Sequence, residues 1–301
     1  MSADLAPDTR SLRAAAGQLV GSSRPLSWVN TAYPFGAAYL LGGGGVSDGV
    51  LWLGIVYFLV PYNLLMYGVN DVFDYESDLR NPRKGGVEGV VLLDRWHRLT
   101  LWTAALLNLP FVVLLVVLGT ARSDVVLAVV LFAVVAYSAP GLRFKERPLL
   151  DSVTSSTHFV GPAVFGFVLV GAPMTATALA GFMAFFLWGL ASHAFGAVQD
   201  ITADRSAGIG SVATVLGAAT TVRLALALYT AAGLVLLLGT GWPGRLAGLL
   251  AVPYVANIAP YLSVTERDCE SANAGWRRFL TLNYVTGFLI TQLLLWVALS
   301  S

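Results

Sequence analysis

Nine apolar runs of membrane length divide this chain, at about 26–42, 49–69, 99–119, 124–140, 153–171, 176–197, 217–239, 245–264 and 279–299. A helix needs about 20 apolar residues to cross the hydrocarbon layer, with a range of about 17–25. Inside lipid, only a helix or a closed barrel satisfies its own backbone. The runs therefore predict an all-α polytopic membrane protein with nine transmembrane helices. Composition agrees, since 56% of the residues are hydrophobic and 12% are charged, where a soluble domain carries about 25% charged residues. A net charge of +1 offers no basic surface for nucleic acid. The single Cys269 excludes an intramolecular disulfide and any Cys-rich metal site. Residues 1–23 are polar with scattered Arg and lack the apolar run of a signal peptide. They read as a cytoplasmic tail ahead of one transmembrane domain, 24–301.

Orientation follows from the basic residues, which favour the inner side of a membrane. With the N-terminus inside, only Arg122 and Arg245 of the 18 Lys+Arg lie in or beside outer loops. The inner segments are then 70–98, 141–152, 198–216 and 265–278. This predicts a multi-pass protein of the cell membrane whose chemically interesting loops share the cytoplasmic face.

Two of those inner segments are acidic. Asn70-Asp71-Val72-Phe73-Asp74-Tyr75-Glu76-Ser77-Asp78 follows the second run directly. On a helix, Asp71, Asp74 and Asp78 fall at i, i+3 and i+7 and share one face, while Glu76 points elsewhere. Asp200 and Asp204 follow the sixth run at i and i+4. Asp200 lies 129 residues after Asp71, and Arg147-Pro148-Leu149 echoes Arg24-Pro25-Leu26 at an offset of 123. The chain thus reads as two four-helix halves plus a ninth helix, around a central cavity, with acids after the second helix of each half. Internal repeats in membrane proteins commonly place the site at their interface. A solvated helix end is the plain alternative for either cluster alone.

Carboxylates without His or Cys partners make a hard-oxygen site, which favours Mg²⁺ over Zn²⁺. Mg²⁺ is usually shared between carboxylates and substrate phosphates. The cations needed for the remaining phosphate oxygens are at hand in Lys84, beside the first acid cluster, and in Arg143 and Lys145, which follow Tyr137 at the end of the fourth run. The inference is a Mg²⁺–pyrophosphate substrate entering from the cytoplasmic side. If its organic part is allylic, cleavage of the C–O bond gives a carbocation that aromatic faces stabilise. Tyr67, Phe73, Tyr75, Tyr137, Phe159, Trp188 and Phe195 are the candidates, with lipid contact or packing as the alternative for each.

Asn70-Asp71-x-x-Asp74-x-x-x-Asp78 resembles the first motif of the UbiA-type intramembrane prenyltransferases, and Asp200-x-x-x-Asp204, with Arg205 and Gly208 following, resembles their second. The nine runs and the Tyr137–Lys145 segment fit the same family from about Arg24 onward. The resemblance implies that Asp71, Asp74, Asp78, Asp200 and Asp204 hold Mg²⁺ bound to a prenyl pyrophosphate. Asp71, Asp74 and Asp200 would be the catalytic members. Asn70 would orient the first motif, and Lys84, Arg143, Lys145, Asn30 and Tyr137 would sit at the pyrophosphate. The segments from Ser23 to Phe35 and from Asp74 to Gly86 look like the actinobacterial lycopene elongase branch. That branch implies transfer of dimethylallyl groups to the ends of lycopene, on the way to fifty-carbon carotenoids. The resulting tertiary cation would lose a proton or capture water. The run Arg83-Lys84-Gly85-Gly86 lacks the Arg-Pro of many quinone-pathway relatives, which disfavours a direct transfer of their quinone-type substrate contacts.

Rival readings are prenylation of a quinone-type or other aromatic acceptor, and a cation-conducting transporter. Against transport, the acids cluster on one face, and no ionisable residue marks a path across the mid-membrane apart from His158 and His193. A required partner subunit remains an open alternative. Asn30 and His158 occupy corresponding places in the two halves and read as interhelical hydrogen-bond partners. The alternatives are a cavity role for Asn30 and proton acceptance by His158. His193 falls two turns before Asp200 on the same face, and Asn108, Asn257, Asn283 and Gln292 read as packing.

Overall fold

The computed structural model describes residues 9–79 and 90–300; the side chains of residues 9–11, 77, 78, 298 and 300 fall outside that description. Within it there is no strand. The helices are α1 (Thr9–Ser22), α2 (Val29–Leu41), α3 (Gly49–Leu59), α4 (Pro61–Phe73), α5 (Tyr75–Asp78), α6 (His97–Leu118), α7 (Ala121–Ser138), α8 (Leu150–Leu169), α9 (Ala176–Val198), α10 (Ile201–Ala207), α11 (Val212–Leu216), α12 (Ala218–Gly239), α13 (Trp242–Leu249), α14 (Ala251–Ile258) and α15 (Ala272–Ser300).

Six helical stretches among the described residues are long and apolar enough to cross a membrane. They are Gly49–Phe73, Asp94–Leu118, Ala121–Ser138, Ala176–Val198, Ala218–Gly239 and Cys269–Val297. The other three expected runs carry helices that fall short for separate reasons. Over 26–42, α2 has only 13 residues. Over 153–171, α8 opens on the polar stretch Asp151-Ser152-Val153-Thr154-Ser155-Ser156-Thr157-His158. Over 245–264, the run is divided at Leu250 into two eight-residue helices, α13 and α14.

The chain separates into two compact units, one of residues 1–142 with 165–170, the other of residues 143–164 with 171–301. In the first unit an aromatic core forms around Phe35, Tyr57, Phe58, Tyr62 and Phe165, all fully buried. Phe35 and Phe58 lie 5.1 Å apart between centroids, and Phe58 meets Tyr62 edge-on at 5.1 Å. The close approach depends on glycine: a Cβ on Gly54 would meet the Phe35 ring at 2.0 Å. In the second unit the core gathers Phe195, Val198, Ile201, Val222, Tyr229, Tyr254 and Phe279.

Helix α6 shows the pattern expected of a span in lipid. Trp102, Leu106, Leu109, Val113 and Val117 recur at helical spacing and are exposed, while Thr100, Ala104, Asn108 and Leu115 are buried. Apolar residues therefore face outward as well as inward, and polar atoms turn in. Asn108 donates to the Pro61 carbonyl at 2.7 Å, in keeping with its packing role.

The α3–α4 break has a visible cause. Pro61 carries no N–H and cannot continue the ladder of α3. Carbonyls at the kink are satisfied by side chains instead: Asn63 Nδ2 donates to Phe58 O at 2.7 Å and Leu59 O at 3.1 Å. Thr31 Oγ1 donates to Phe58 O at 2.6 Å. Side-chain repair of this kind lets a proline-broken helix persist in lipid. It also aims α4, and with it the first acidic motif.

Candidate active site

Helix α4 delivers Asn70 and Asp71 in its last turn, and Asp74 is its C-terminal cap. The cap N–H of Asp74 donates to Asn70 O at 2.9 Å, closing the final turn. Asn70 and Asp74 stand four residues apart and share a face, whereas Asp71 is turned about 100° from Asn70. The structure pins this turn from both flanks. Ser138, at the end of α7, donates to Asn70 Oδ1 at 2.8 Å. On the other flank Asp71 Oδ2 accepts from Ser22 Oγ at 2.8 Å, and Oδ1 from Arg24 Nη2 at 3.2 Å. Asp71 is completely buried, whereas Asp74 is half-buried. The expected trio of Asp71, Asp74 and Asp78 is thus unlike within itself: Asp71 has protein donors on both oxygens. Asp78 closes α5, with its side chain outside the described residues, as is the whole of Lys84.

The second motif sits in the other unit. Asp200 caps the N-terminus of the seven-residue α10, and Asp204 lies in its first turn. Both are half-buried. Gly208 ends α10 in the left-handed region at φ 71°, as a helix C-terminus favours. The chain then turns into α11, whose Ser211 cap reaches Asp204 Oδ2 at 3.5 Å. Arg205 pairs with the exposed Glu266, and its Nη2 donates to Thr214 O at 2.8 Å. That guanidinium holds the Glu266 carboxyl below its ordinary range.

Beneath this motif lies a residue that sequence reasoning missed. Asp151, at the head of α8, is completely buried. It accepts N–H bonds from Val212 at 2.8 Å and Ser152 at 2.7 Å, and its Oδ2 lies 3.6 Å from His193 Nε2. Asp151 therefore ties α8, α9 and the start of α11 together just after the DxxxD segment. An acid at the mouth of an apolar run was the available signal.

Of the expected phosphate contacts, Arg143 is half-buried in the left-handed region at φ 41°. Its guanidinium pairs with Glu146, three residues on, which lowers the Glu146 carboxyl through a hydrogen bond and charge against the opposing effect of burial. Lys145 and Tyr137 are half-buried, and Asn30 is exposed on α2. His158 is buried within α8. Among the aromatic candidates, Tyr67 lies under the Arg24 guanidinium at 4.3 Å, and Tyr75 meets the His97 ring edge-on at 4.8 Å. Trp188 stacks on Phe279 at 5.8 Å, and Phe195 packs against Tyr261 at 5.6 Å.

The donors present are all hard oxygens, which suits Mg²⁺ in kind. Among the described residues no three His, Cys, Asp or Glu side chains gather into a metal cage. Mg²⁺ ordinarily takes one or two carboxylates together with substrate phosphate oxygens, so paired aspartates fit that ion when it arrives with a diphosphate.

Residues 31–295 match the model of the UbiA prenyltransferase family. A C(50) beta-cyclic carotenoids biosynthesis protein of Dietzia sp. (strain CQ4) is 56% identical over 281 residues, covering 93% of this chain and 65% of that protein. The chain thus spans less than two thirds of that relative's length. A lycopene elongase/hydratase of Corynebacterium glutamicum is 52% identical over 274 residues, covering 91% of this chain and 95% of the relative. Among solved structures, a UbiA homolog from Archaeoglobus fulgidus bound to DMAPP and Mg²⁺ superposes with a TM-score of 0.64 at 17% identity, covering 91% of this chain and 99% of that one. At that identity the likeness concerns the fold.

Proposed function

The chain belongs to the UbiA prenyltransferase family, a multi-pass membrane family, and from that premise we propose that it transfers dimethylallyl groups from their diphosphate to lycopene in carotenoid biosynthesis. The observation that carries this reading is the 52% identity over 95% of the length of the Corynebacterium glutamicum lycopene elongase/hydratase. Both aspartate motifs fall inside the matched family region, 31–295.

In this reading Asp74 and Asp78 of the first motif, and Asp200 and Asp204 of the second, each offer carboxylates to Mg²⁺ that arrives with the donor. A Mg²⁺ ion held by these carboxylates would supply charge withdrawal from the leaving diphosphate. Asn70 presents its carboxamide on the Asp74 face. Arg143, Lys145 and Lys84 supply cations for the remaining phosphate oxygens, and Asn30 and Tyr137 supply neutral hydrogen-bond donors to the pyrophosphate. For Arg143 this requires exchange of its Glu146 partner for phosphate, a bidentate match that guanidinium geometry favours. The allylic cation would then be attacked by the terminal double bond of the acceptor. The new tertiary cation then loses a proton or takes up water. The basic residues of the inner loops support a cytoplasmic opening in the cell membrane.

Incubation of membranes containing the protein with lycopene, Mg²⁺ and dimethylallyl diphosphate tests this. The expected product is lycopene heavier by one or two five-carbon units, with or without water. Consumption of the donor with aromatic acids but not with lycopene overturns the acceptor assignment.

A further inference from the structure

We propose that Asp71 is a positioning residue that locks the N-terminal helix onto the first aspartate motif, and that it is not a ligand of the metal. The proposal rests on the reading of Asp74 as a Mg²⁺ ligand. Asp71 is 0% exposed, and both of its oxygens accept from the segment that ends α1: Oδ2 from Ser22 at 2.8 Å and Oδ1 from Arg24 at 3.2 Å. Ser22 is itself fully buried. The Arg24 guanidinium is fixed a second time, over the Tyr67 ring of α4 at 4.3 Å. Its backbone is held at φ 51°, a left-handed conformation that costs a non-glycine residue energy and persists only where its surroundings impose it.

The rest of α1 is docked as well. Gln18 Oε1 accepts from the Leu93 N–H at 3.0 Å. A Cβ on Gly21 would strike Val90 at 2.8 Å, and one on Gly68 of α4 would lie 3.7 Å from Ser22 Oγ. Residues 9–22 therefore pack as an integral helix on this unit. Alone, the last turn of a helix is weakly held, because its carbonyls lack intrahelical partners. Here the turn carrying Asn70, Asp71 and Asp74 is clamped by Ser138 on one flank and by Ser22 with Arg24 on the other. Clamping Asp71 fixes the rotation of that turn, and the rotation decides where Asn70 and Asp74 point.

Charge argues against a second duty for Asp71. A Mg²⁺ ion sits about 2.0–2.1 Å from a ligating oxygen. The guanidinium already 3.2 Å from Asp71 Oδ1 would then face a divalent cation across one carboxylate. With Oδ1 held by Arg24 and Oδ2 by the buried Ser22, a metal would have to share or displace donors already fixed in the fold, and displacing the largely buried Arg24 is costly.

The test uses the full-length protein in membranes, as Asp71→Asn, Arg24→Gln, Arg24→Lys, the Asp71→Asn/Arg24→Gln double variant, and Asp74→Asn. Turnover is measured against Mg²⁺ and donor concentration. Trypsin cleavage at the exposed Arg13 of α1 is followed without Mg²⁺ or donor. Asp71→Asn and Arg24→Gln are expected to lower kcat by roughly 10²-fold, the scale of a misplaced catalytic group. Both should leave the Mg²⁺ half-saturation near that of the unaltered protein and speed cleavage at Arg13. The double variant should be no worse than the worse single one, because the two share one interaction. Arg24→Lys should recover part of the rate. Asp74→Asn should instead raise the Mg²⁺ half-saturation and leave Arg13 protected. The proposal is overturned if Asp71→Asn shifts the Mg²⁺ half-saturation as Asp74→Asn does, or if neither Asp71→Asn nor Arg24→Gln speeds cleavage. An unshifted Mg²⁺ half-saturation in Asp74→Asn overturns the metal reading, whereas faster Arg13 cleavage in the latch variants still supports the lock.

Discussion

The two aspartate motifs look alike in sequence and are held in different ways. The first rides the end of α4, the second part of the proline-broken membrane-length stretch Gly49–Phe73, and is fixed by side chains from distant parts of the chain: Ser138 on Asn70, and Ser22 with Arg24 on Asp71. The second rides a seven-residue helix between tight turns, and its nearest supports are local, Ser211 on Asp204 and Gly208 at the helix end. Distant segments reach it through its neighbours on α10 and α11: Arg205 pairs with Glu266, the Thr202 hydroxyl lies 3.4 Å from Cys269 Sγ, and Asp151 holds the Val212 N–H. A broken membrane-length stretch still has a definite direction but a loosely held end, so that end is clamped. A short helix has little stability of its own, so the segment that follows it is bolted down instead.

Asp74→Asn and Asp200→Asn should erase this contrast, because both remove a proposed metal carboxylate whatever its mounting. Each is expected to lower transfer by roughly 10²–10³-fold, the scale seen when one electrostatic stabiliser is lost from an active site. Helical circular dichroism should be unchanged, since Asp74 and Asp200 are only half-buried. If one of the two leaves transfer intact, the motifs do not share the chemistry.

Asp151→Ala probes the mounting of the second motif. It removes the acceptor of two N–H bonds and leaves those donors buried beside His193. Loss of a buried charged partner costs about 3–5 kcal/mol. Thermal unfolding in detergent should show that loss, with activity declining because the 208–212 turn is released. Asn63→Ala is the counterpart for the first motif. It strips the Phe58 and Leu59 carbonyls at the α3–α4 kink of their Asn63 donor. Thr31 still serves Phe58, so the expected cost is about 1–2 kcal/mol, read from the same unfolding curve.

How much of this was legible in the sequence follows the same contrast. The apolar runs placed helices, because a period and a length are local properties. Six of the nine carry helical stretches among the described residues long and apolar enough to cross a membrane, and at the other three stand the 13-residue α2, the polar opening of α8 and the break at Leu250. The spacing of Asp71, Asp74 and Asp78 at i, i+3 and i+7 read as one face. Asn70, Asp74 and Asp78 at i, i+4 and i+8 form a face equally well. Nothing local chooses between them, and Arg24, on which the proposed choice rests, lies 47 residues away. Asp151 went unread for the same reason, since its donors come from Val212 and its neighbour from α9.

The smallest effect is expected where the second motif has its most conspicuous ion pair. Arg205 pairs with Glu266, yet both side chains are largely in water, at 42% and 50% exposure. Exposed pairs of this kind contribute little. The hydrogen bond from Arg205 and its charge depress the Glu266 carboxyl below its ordinary 4.5. A depressed acid adds stability above its unfolded value and loses it as pH falls through the lower folded value. The contribution is therefore complete at pH 7 and disappears only below about pH 4.5. Even then Arg205 keeps its bond to the Thr214 carbonyl at 2.8 Å. Glu266→Gln should accordingly leave transfer unchanged from pH 6 to 8 and the unfolding midpoint indistinguishable there. A clear loss of transfer in that range would mean that the exposed pair orients Asp204, and that the second motif, like the first, depends on a clamp from a distant segment.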